Sequence, residues 1–287
     1  MARIVYVNGR YVPYDEAQIH CEDRGFLFGD AVYEVCPVIA SRIVDEAPHL
    51  DRLERSLDEI GIQEPMARTA LSHLLHETVR RNRVANGWVY LQVSRGVARR
   101  DFVFPAPGTP RTVVCFARHQ PLERGEAQAE AGISVITTPD IRWGRVDIKS
   151  VQLLAPALAK EEARAAGAKE AWFVDRDGHV TEGASSNAWI VLTGGDLITR
   201  PADSGILRGV TRTVLIDFAA REKMNVIERP FNAGEALSAR EAFVTSATNF
   251  VMPVTRIDGK PVGDGKPGAF TMRLRRLVLA MAKAGSA

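Results

Sequence analysis

Thr181-Glu182-Gly183-Ala184-Ser185-Ser186-Asn187 sets a carboxylate at the end of an apolar strand and follows it with small and hydroxyl residues. Just upstream, Ala171-Trp172-Phe173-Val174-Asp175 and His179-Val180-Thr181-Glu182 flank Arg176-Asp177-Gly178, a hairpin signal that puts Glu182 at the exit of the second strand. Downstream, Leu207-Arg208-Gly209-Val210-Thr211-Arg212 opens an amphipathic run containing Val214, Leu215, Phe218 and Ala219, and predicts a helix over 210–222. Further upstream, Ile141-Arg142-Trp143-Gly144-Arg145-Val146-Asp147-Ile148-Lys149-Ser150 is an extended stretch that closes on Lys149.

Each piece has two readings. A lysine amine condenses with an aldehyde cofactor and then shuttles protons; the alternative is a solvated surface lysine, which suits Lys160 and Lys169 in or beside a charged helix. Lys149 instead closes a stretch containing Trp143, Val146 and Ile148. A carboxylate such as Glu182 pairs with a pyridine nitrogen through a charge-assisted hydrogen bond; otherwise it is a strand-end glutamate beside turn formers Ser185, Ser186 and Asn187. The helix start at Gly209, Val210 and Thr211 offers N–H groups to a phosphate or is an ordinary cap. Arg52 is a second phosphate candidate, since guanidinium grips phosphate bidentately, with Arg55 beside it. Ser246-Ala247-Thr248-Asn249 is a third polar loop. Lysine, carboxylate and phosphate-binding helix start are together the three needs of a pyridoxal phosphate (PLP) enzyme.

Composition is permissive. The 287 residues are 46% apolar and 25% charged with net charge +2, ordinary for a soluble globular protein. The basic residues form no stripe that would track a nucleic acid backbone; the dense pair Arg99-Arg100 is followed by Asp101. No apolar run approaches the roughly 20 residues that span a bilayer, and the first residues lack the pattern of a secretory signal. Cys21, Cys36 and Cys115 are odd in number and far apart, which fits reduced thiols in cytoplasm and neither disulfides nor zinc. His73 and His76 share a helix face without a matching carboxylate, so no metal is expected, and the glycines from 259 to 268 match no nucleotide-binding pattern.

Strand and helix signals mix without βαβ regularity, predicting an α+β fold. Asn8-Gly9 marks a hairpin between Ile4–Val7 and Arg10–Val12. Strands are expected at 31–36, 88–93, 112–117, 133–138, 187–192, 197–199, 243–246 and 251–257, and helices at 49–60, 65–84, 152–168 and 270–284. The polar stretch after Arg118, with Pro121 and Gly125, is the expected joint. Residues 1–118 would then form a small N-terminal domain, 119–125 a linker and 126–287 a larger C-terminal domain.

The chain resembles the fold-type IV PLP enzymes, the class IV aminotransferases, on a long signature: Glu182, Ala184, Asn187, Ala188 and Trp189; Leu197 and Thr199; Leu207, Gly209, Val210 and Arg212. Phe28-Gly29-Asp30-Ala31-Val32-Tyr33-Glu34-Val35 and Leu91-Gln92-Val93-Ser94-Arg95-Gly96-Val97-Ala98-Arg99-Arg100 are most similar to the D-amino acid aminotransferases. The resemblance implies a smaller N-terminal α/β sandwich and a larger C-terminal PLP-binding pseudo-barrel. It implies Lys149 as the Schiff-base lysine, Glu182 as partner of the pyridine nitrogen, and Arg52, Val210, Thr211 and Thr248 as phosphate contacts. Leu207 would pack against the ring, with Ser186, Asn187 and Gly209 also at the cofactor. Tyr33, Arg99, Arg100, Ser246 and Ala247 would meet the substrate. Where the subfamily has an Arg-x-His pair reaching in from a neighbouring subunit, this chain has Arg100-Asp101-Phe102, and Pro37 replaces a lysine often found there.

The implied activity is transfer of the amino group of a D-amino acid such as D-alanine to a 2-oxo acid such as 2-oxoglutarate, by a cytoplasmic homodimer, extending to (R)-amines. The alternatives are a branched-chain L-amino acid aminotransferase or an aminodeoxychorismate lyase of the same fold, and, in another class, a binding module without catalysis.

Overall fold

Asn8 and Gly9 both take positive φ (46° and 90°), as a tight type I′ hairpin turn requires, and join β1 (Ile4–Val7) to β2 (Arg10–Pro13). This hairpin starts an antiparallel sheet of order β2-β1-β6-β5-β3-β4, completed by β3 (Ala31–Ile39), β4 (Arg42–Ile43), β5 (Gly87–Ser94) and β6 (Thr112–His119). A short helix, α1 (Arg24–Phe28), precedes β3, and α2 (Glu46–Glu59) and α3 (Arg68–Asn82) pack on the sheet. Leu50, Leu53 and Leu57, one face of α2, are buried against Leu71, Leu74 and Leu75 of α3 and Val89, Leu91 and Val93 of β5. Each such leucine contributes about 1.5–3 kcal/mol by leaving water. Gly61, with φ 63°, follows the end of α2, where the sequence places its stop.

The computed structural model describes residues 3–285. They divide into two units: the first comprises residues 3–121 with Ile148–Gln152 and Gly285, the second Leu122–Asp147 and Leu153–Ala284.

The second unit is built on a nine-stranded sheet of order β12-β11-β10-β13-β14-β7-β8-β9, with β15 paired to β14. Its strands are β7 (Ile133–Pro139), β8 (Glu170–Val174), β9 (Val180–Gly183), β10 (Asn187–Val191), β11 (Leu197–Thr199), β12 (Val226–Glu228), β13 (Glu241–Ser246), β14 (Phe250–Ile257) and β15 (Lys260–Pro261). The pairs β11–β12, β14–β7 and β7–β8 are parallel and the others antiparallel. A bridge between Gly183 and Ser186 ties the end of β9 to the start of β10, so the sheet curls back on itself as a half-barrel. Strands β9 and β10 are buried along their whole length, and Trp189 stacks on Phe243 at 5.5 Å. The helices are α4 (Leu122–Ala131), α5 (Leu154–Ala165), α6 (Val210–Arg221), α7 (Ala233–Ser238) and α8 (Ala269–Ala284). Among the described residues no helix is long and apolar enough to cross a membrane.

Two stretches differ from expectation. Residues 119–125, expected as a linker, hold the last residue of β6 and the first turn of α4. The polar composition hid that helix: its buried face is little more than Ala129, and Glu126 pairs with the buried Arg275 of α8 at 3.0 Å. The helix expected over 152–168 is shorter, because Ser150 bridges to Val32 of β3 and the chain stays extended there.

Candidate active site

In the first unit, Lys149 lies along β3. Its carbonyl accepts from the Tyr33 N–H (3.0 Å), the next-but-one N–H, that of Val151, donates to Ala31 (3.0 Å), and its own N–H donates to Ser56 Oγ on α2 (3.3 Å). The backbone of this lysine is thus held on both sides. Its Nζ sits 4.3 Å from the centroid of the Tyr33 ring, whose π-face attracts a cation. Tyr33 stacks on Tyr90 at 5.5 Å and Tyr90 on Phe116 at 4.8 Å, so the ring beneath the lysine is itself fixed.

Strand β3 turns Val32, Glu34, Cys36 and Val38 inward, and Glu34 is the one carboxylate among them. Its charge is met from α2: Arg52 donates Nε to Oε1 and Nη2 to Oε2, both at 2.7 Å, and His49 Nδ1 lies 2.8 Å from Oε2. Burial pushes the Glu34 carboxyl up, but the charge and hydrogen bonds of Arg52, then His49, outweigh it and hold it well below the usual range. Burial favours neutral His49 against the pull of Glu34, with Arg52 and Lys149 acting in the same sense as burial. Arg52 therefore stands in a fixed plane.

Arg99 and Arg100 are exposed, in the segment after β5. Arg100 lies over the rings of Phe28 (5.6 Å) and Phe102 (5.9 Å). The segment is clamped from below by buried Arg24, which bonds the Asp101 carbonyl (2.7 Å) and pairs with Asp30 (2.7 Å).

In the second unit the curl of the sheet brings Glu182 and Asn187 side by side. The Leu207 N–H points at both Glu182 oxygens (3.1 and 3.2 Å), and Asn187 Nδ2 donates to Glu182 Oε2 (2.9 Å) and to the Leu207 carbonyl (2.8 Å). Arg142 Nη1 pairs with Glu182 Oε1 at 2.5 Å. The same guanidinium bonds Asp140 through Nε (2.9 Å) and Nη2 (2.7 Å), and Thr181 Oγ1 donates to Asp140 Oδ2 (2.9 Å).

Gly209 caps α6. A Cβ there would stand 2.2 Å from Asn187 Oδ1, so a side chain at 209 would push Asn187 off Glu182. No side chain caps the helix, which leaves the first-turn N–H groups of Val210 and its neighbours directed at an anion, beside the buried Thr211. A carboxylate held ionised by charge-assisted bonds, tied through Asn187 to an uncapped helix start, fits an aromatic nitrogen base that carries a phosphate. Asp175, Asp177 and His179 bring three ligand atoms within 4.8 Å of one another at the β8–β9 turn, but Asp175 is already engaged by Arg200 at 2.5 Å.

Ser186 Oγ, with Ser185 Oγ, donates to Glu170 Oε2 (3.0 and 2.8 Å), which directs both hydroxyls at a second buried carboxylate. Ser246 ends β13 and its Oγ accepts the Asn249 N–H (3.3 Å), while half-buried Ala247 and Thr248 form the turn to β14. Arg275 pins that turn through the carbonyls of Asn249 (2.7 Å) and Val251 (2.6 Å).

Sequence reasoning missed Glu34, His49, Asp140 and Arg142. A carboxylate at an inward position of a strand demands a buried cation, and His49 and Arg52 share one helix face at i, i+3. Asp140 and Arg142, two apart in an extended stretch, face one side. Those were the available signals.

The model of the family amino-transferase class IV matches residues 31–257. Over 272 residues the chain is 37% identical to the D-alanine aminotransferase of Staphylococcus epidermidis, covering 95% of each protein. The fold superposes on a thermophile-type (T.th.) branched-chain amino acid aminotransferase with pyridoxamine 5′-phosphate at a TM-score of 0.89 and 28% identity, covering 99% of this chain and 95% of that one. It superposes on the Escherichia coli branched-chain amino acid aminotransferase at 0.90 and 23% identity, covering 100% and 97%, a likeness of fold. The curled sheet, the ionised Glu182 and the uncapped start of α6 agree with these matches: the chain belongs to the class IV aminotransferases, PLP-dependent enzymes of fold-type IV.

Proposed function

We propose that this aminotransferase moves the amino group of a D-amino acid such as D-alanine onto a 2-oxo acid such as 2-oxoglutarate. The observation that carries this reading is the 37% identity, over 95% of the chain, to a protein named for D-alanine, against 28% to one named for branched-chain amino acids.

When bound, PLP supplies an aldehyde carbon and a protonated ring that withdraws electrons from the substrate α-carbon. Lys149 Nζ is the base that takes the α-proton of the amino donor and, in the second half-reaction, gives a proton to the α-carbon of the 2-oxo acid. Glu182 holds the proton on the ring nitrogen. Val210, Thr211, Thr248 and Arg52 hold the phosphate, with Glu34 fixing the plane of the Arg52 guanidinium. Leu207, Asn187, Gly209 and Ser186 line the cofactor, and Leu207 packs on its ring. Tyr33, Ser246 and Ala247 meet the substrate, and Arg99 or Arg100 takes its carboxylate. Phe102 stands where the resemblance leads one to expect histidine, and Arg100 lies on its ring, an apolar setting that extends the reading to (R)-amines without a carboxylate.

The working form in this reading is a cytoplasmic homodimer. Exposed Phe26, Phe102, Val103 and Phe104 in the first unit support an apolar partner surface, and three free cysteines support a reducing compartment. The test is a PLP-supplemented assay with D-alanine or L-leucine as donor, 2-oxoglutarate as acceptor, and chiral analysis of the glutamate. D-glutamate from D-alanine is expected. L-glutamate from L-leucine alone would replace this reading with the branched-chain one.

A further inference from the structure

Arg142 is shared by two carboxylates. Asp140 takes Nε and Nη2 in a two-point grip, while Glu182 takes Nη1. All three side chains are largely buried, at 14%, 8% and 6% exposure in the order Asp140, Arg142, Glu182. Thr181, one residue before Glu182, ties its hydroxyl to Asp140 (2.9 Å), and Arg142 lies over the Phe173 ring at 4.4 Å. The guanidinium has no freedom to swing toward Glu182 alone.

A one-to-one pair of Arg142 with Glu182 would spend the whole guanidinium charge on the carboxylate and weaken its hold on any other proton. Two carboxylates on one guanidinium divide that charge. We propose that Asp140 is a positioning residue which, through Arg142, sets the negative charge that Glu182 presents to the ring nitrogen of the cofactor. This rests on the reading of Glu182 given above. Arg142 orients the carboxylate, and Asp140 keeps that orientation from lowering its basicity. The Asp140 carboxyl behaves as a permanent anion for this purpose: burial pushes it up, but the hydrogen bonds and charge of Arg142, with Thr181, hold it below the usual carboxylate range. Asp140→Asn keeps the shape and one acceptor and removes only the charge, so the full Arg142 charge then falls on Glu182.

The experiment reconstitutes the apoprotein with PLP labelled with nitrogen-15 in the ring and records the ring nitrogen signal by NMR. It also measures affinity for PLP and for its 1-deaza analogue, which has no ring nitrogen. In the wild type the signal is expected at the protonated position. Asp140→Asn should move it toward the unprotonated one and weaken PLP about tenfold, the effect of losing one charge-assisted bond, with the 1-deaza analogue unchanged. Thr181→Val, a milder change, should move the signal the same way by less, and Asp140→Glu should restore it. A wild-type signal in folded Asp140→Asn, when Glu182→Gln does move it, overturns the role of Asp140 and leaves that of Glu182 standing. A signal that Glu182→Gln does not move overturns both. Equal weakening of PLP and the 1-deaza analogue by Asp140→Asn would make Asp140 structural only and also overturns the inference.

Discussion

Each unit holds a buried arginine against carboxylate, and the stoichiometry differs. In the first unit Arg52 meets a single carboxylate, Glu34, whose other buried neighbour is neutral His49. In the second Arg142 meets two, Asp140 and Glu182. One-to-one pairing holds a cation still with its charge answered. Two-to-one pairing holds an anion still with charge left over. The first suits a guanidinium that steadies a phosphate, the second a carboxylate that must keep a proton on a nitrogen base.

The largest effect expected is on catalysis and falls in the first unit. Lys149→Ala should lower turnover of PLP-loaded enzyme by at least about 10²–10⁴-fold, the range for positioned proton transfer. Lys160→Ala, in the second unit and paired with Glu170 at 3.1 Å, should leave it unchanged in the same assay. Borohydride reduction followed by peptide mapping should find the label at Lys149.

Stability separates the two arginines next. Arg52→Met strands Glu34, which is 1% exposed, and should cost about 3–5 kcal/mol in denaturant unfolding, most of it recovered by adding Glu34→Gln. Glu182→Gln should cost clearly less, because Arg142 keeps Asp140. Equal losses at the two sites would erase the distinction.

Acid should also reach the units in sequence. His49 has a lowered folded value, burial being the main cause, so the unfolded chain binds its proton more readily and stability falls as pH drops below about 6.5. Glu34 and Asp140 have lowered folded values, so their contributions are complete above about 4 and fade only as pH falls further through those values. Hydrogen exchange compared at neutral pH and near pH 5.5 should show α2 and β3 losing protection before β9 and β10, and His49→Asn should abolish the difference.

The smallest effect concerns Ser186. If its hydroxyl serves Glu170, as the 3.0 Å bond has it, Ser186→Ala should cost about 0.5–1.5 kcal/mol of stability and leave PLP affinity within a factor of two. A large loss of affinity would place that hydroxyl at the phosphate instead.

The elements legible in the sequence were those whose cause is local. Asn8-Gly9 and Asp177-Gly178 state their turns, Leu50, Leu53 and Leu57 state their helix, and the Glu182-to-Asn187 stretch with the Leu207-to-Arg212 stretch states the family. What stayed hidden was set by partners far along the chain. Arg142 reads as one more arginine until the curl of the sheet presents Glu182 across 40 residues. Helix α4 looks like a joint until Arg275 arrives from 149 residues away. The extended course around Lys149 follows from β3, whose Ala31 and Tyr33 bond it from more than a hundred residues upstream.

That last pairing limits how the molecule can be divided. Ile148–Gln152 belong by contact to the first unit, although the chain on both sides of them belongs to the second. A polypeptide cut after Pro121 would lose the backbone partners of Ala31 and Tyr33, exposing the β3 edge to aggregation, and would leave the reactive lysine on the other piece. Genetic splitting at that joint is expected to fail unless the five-residue return segment is supplied again in trans.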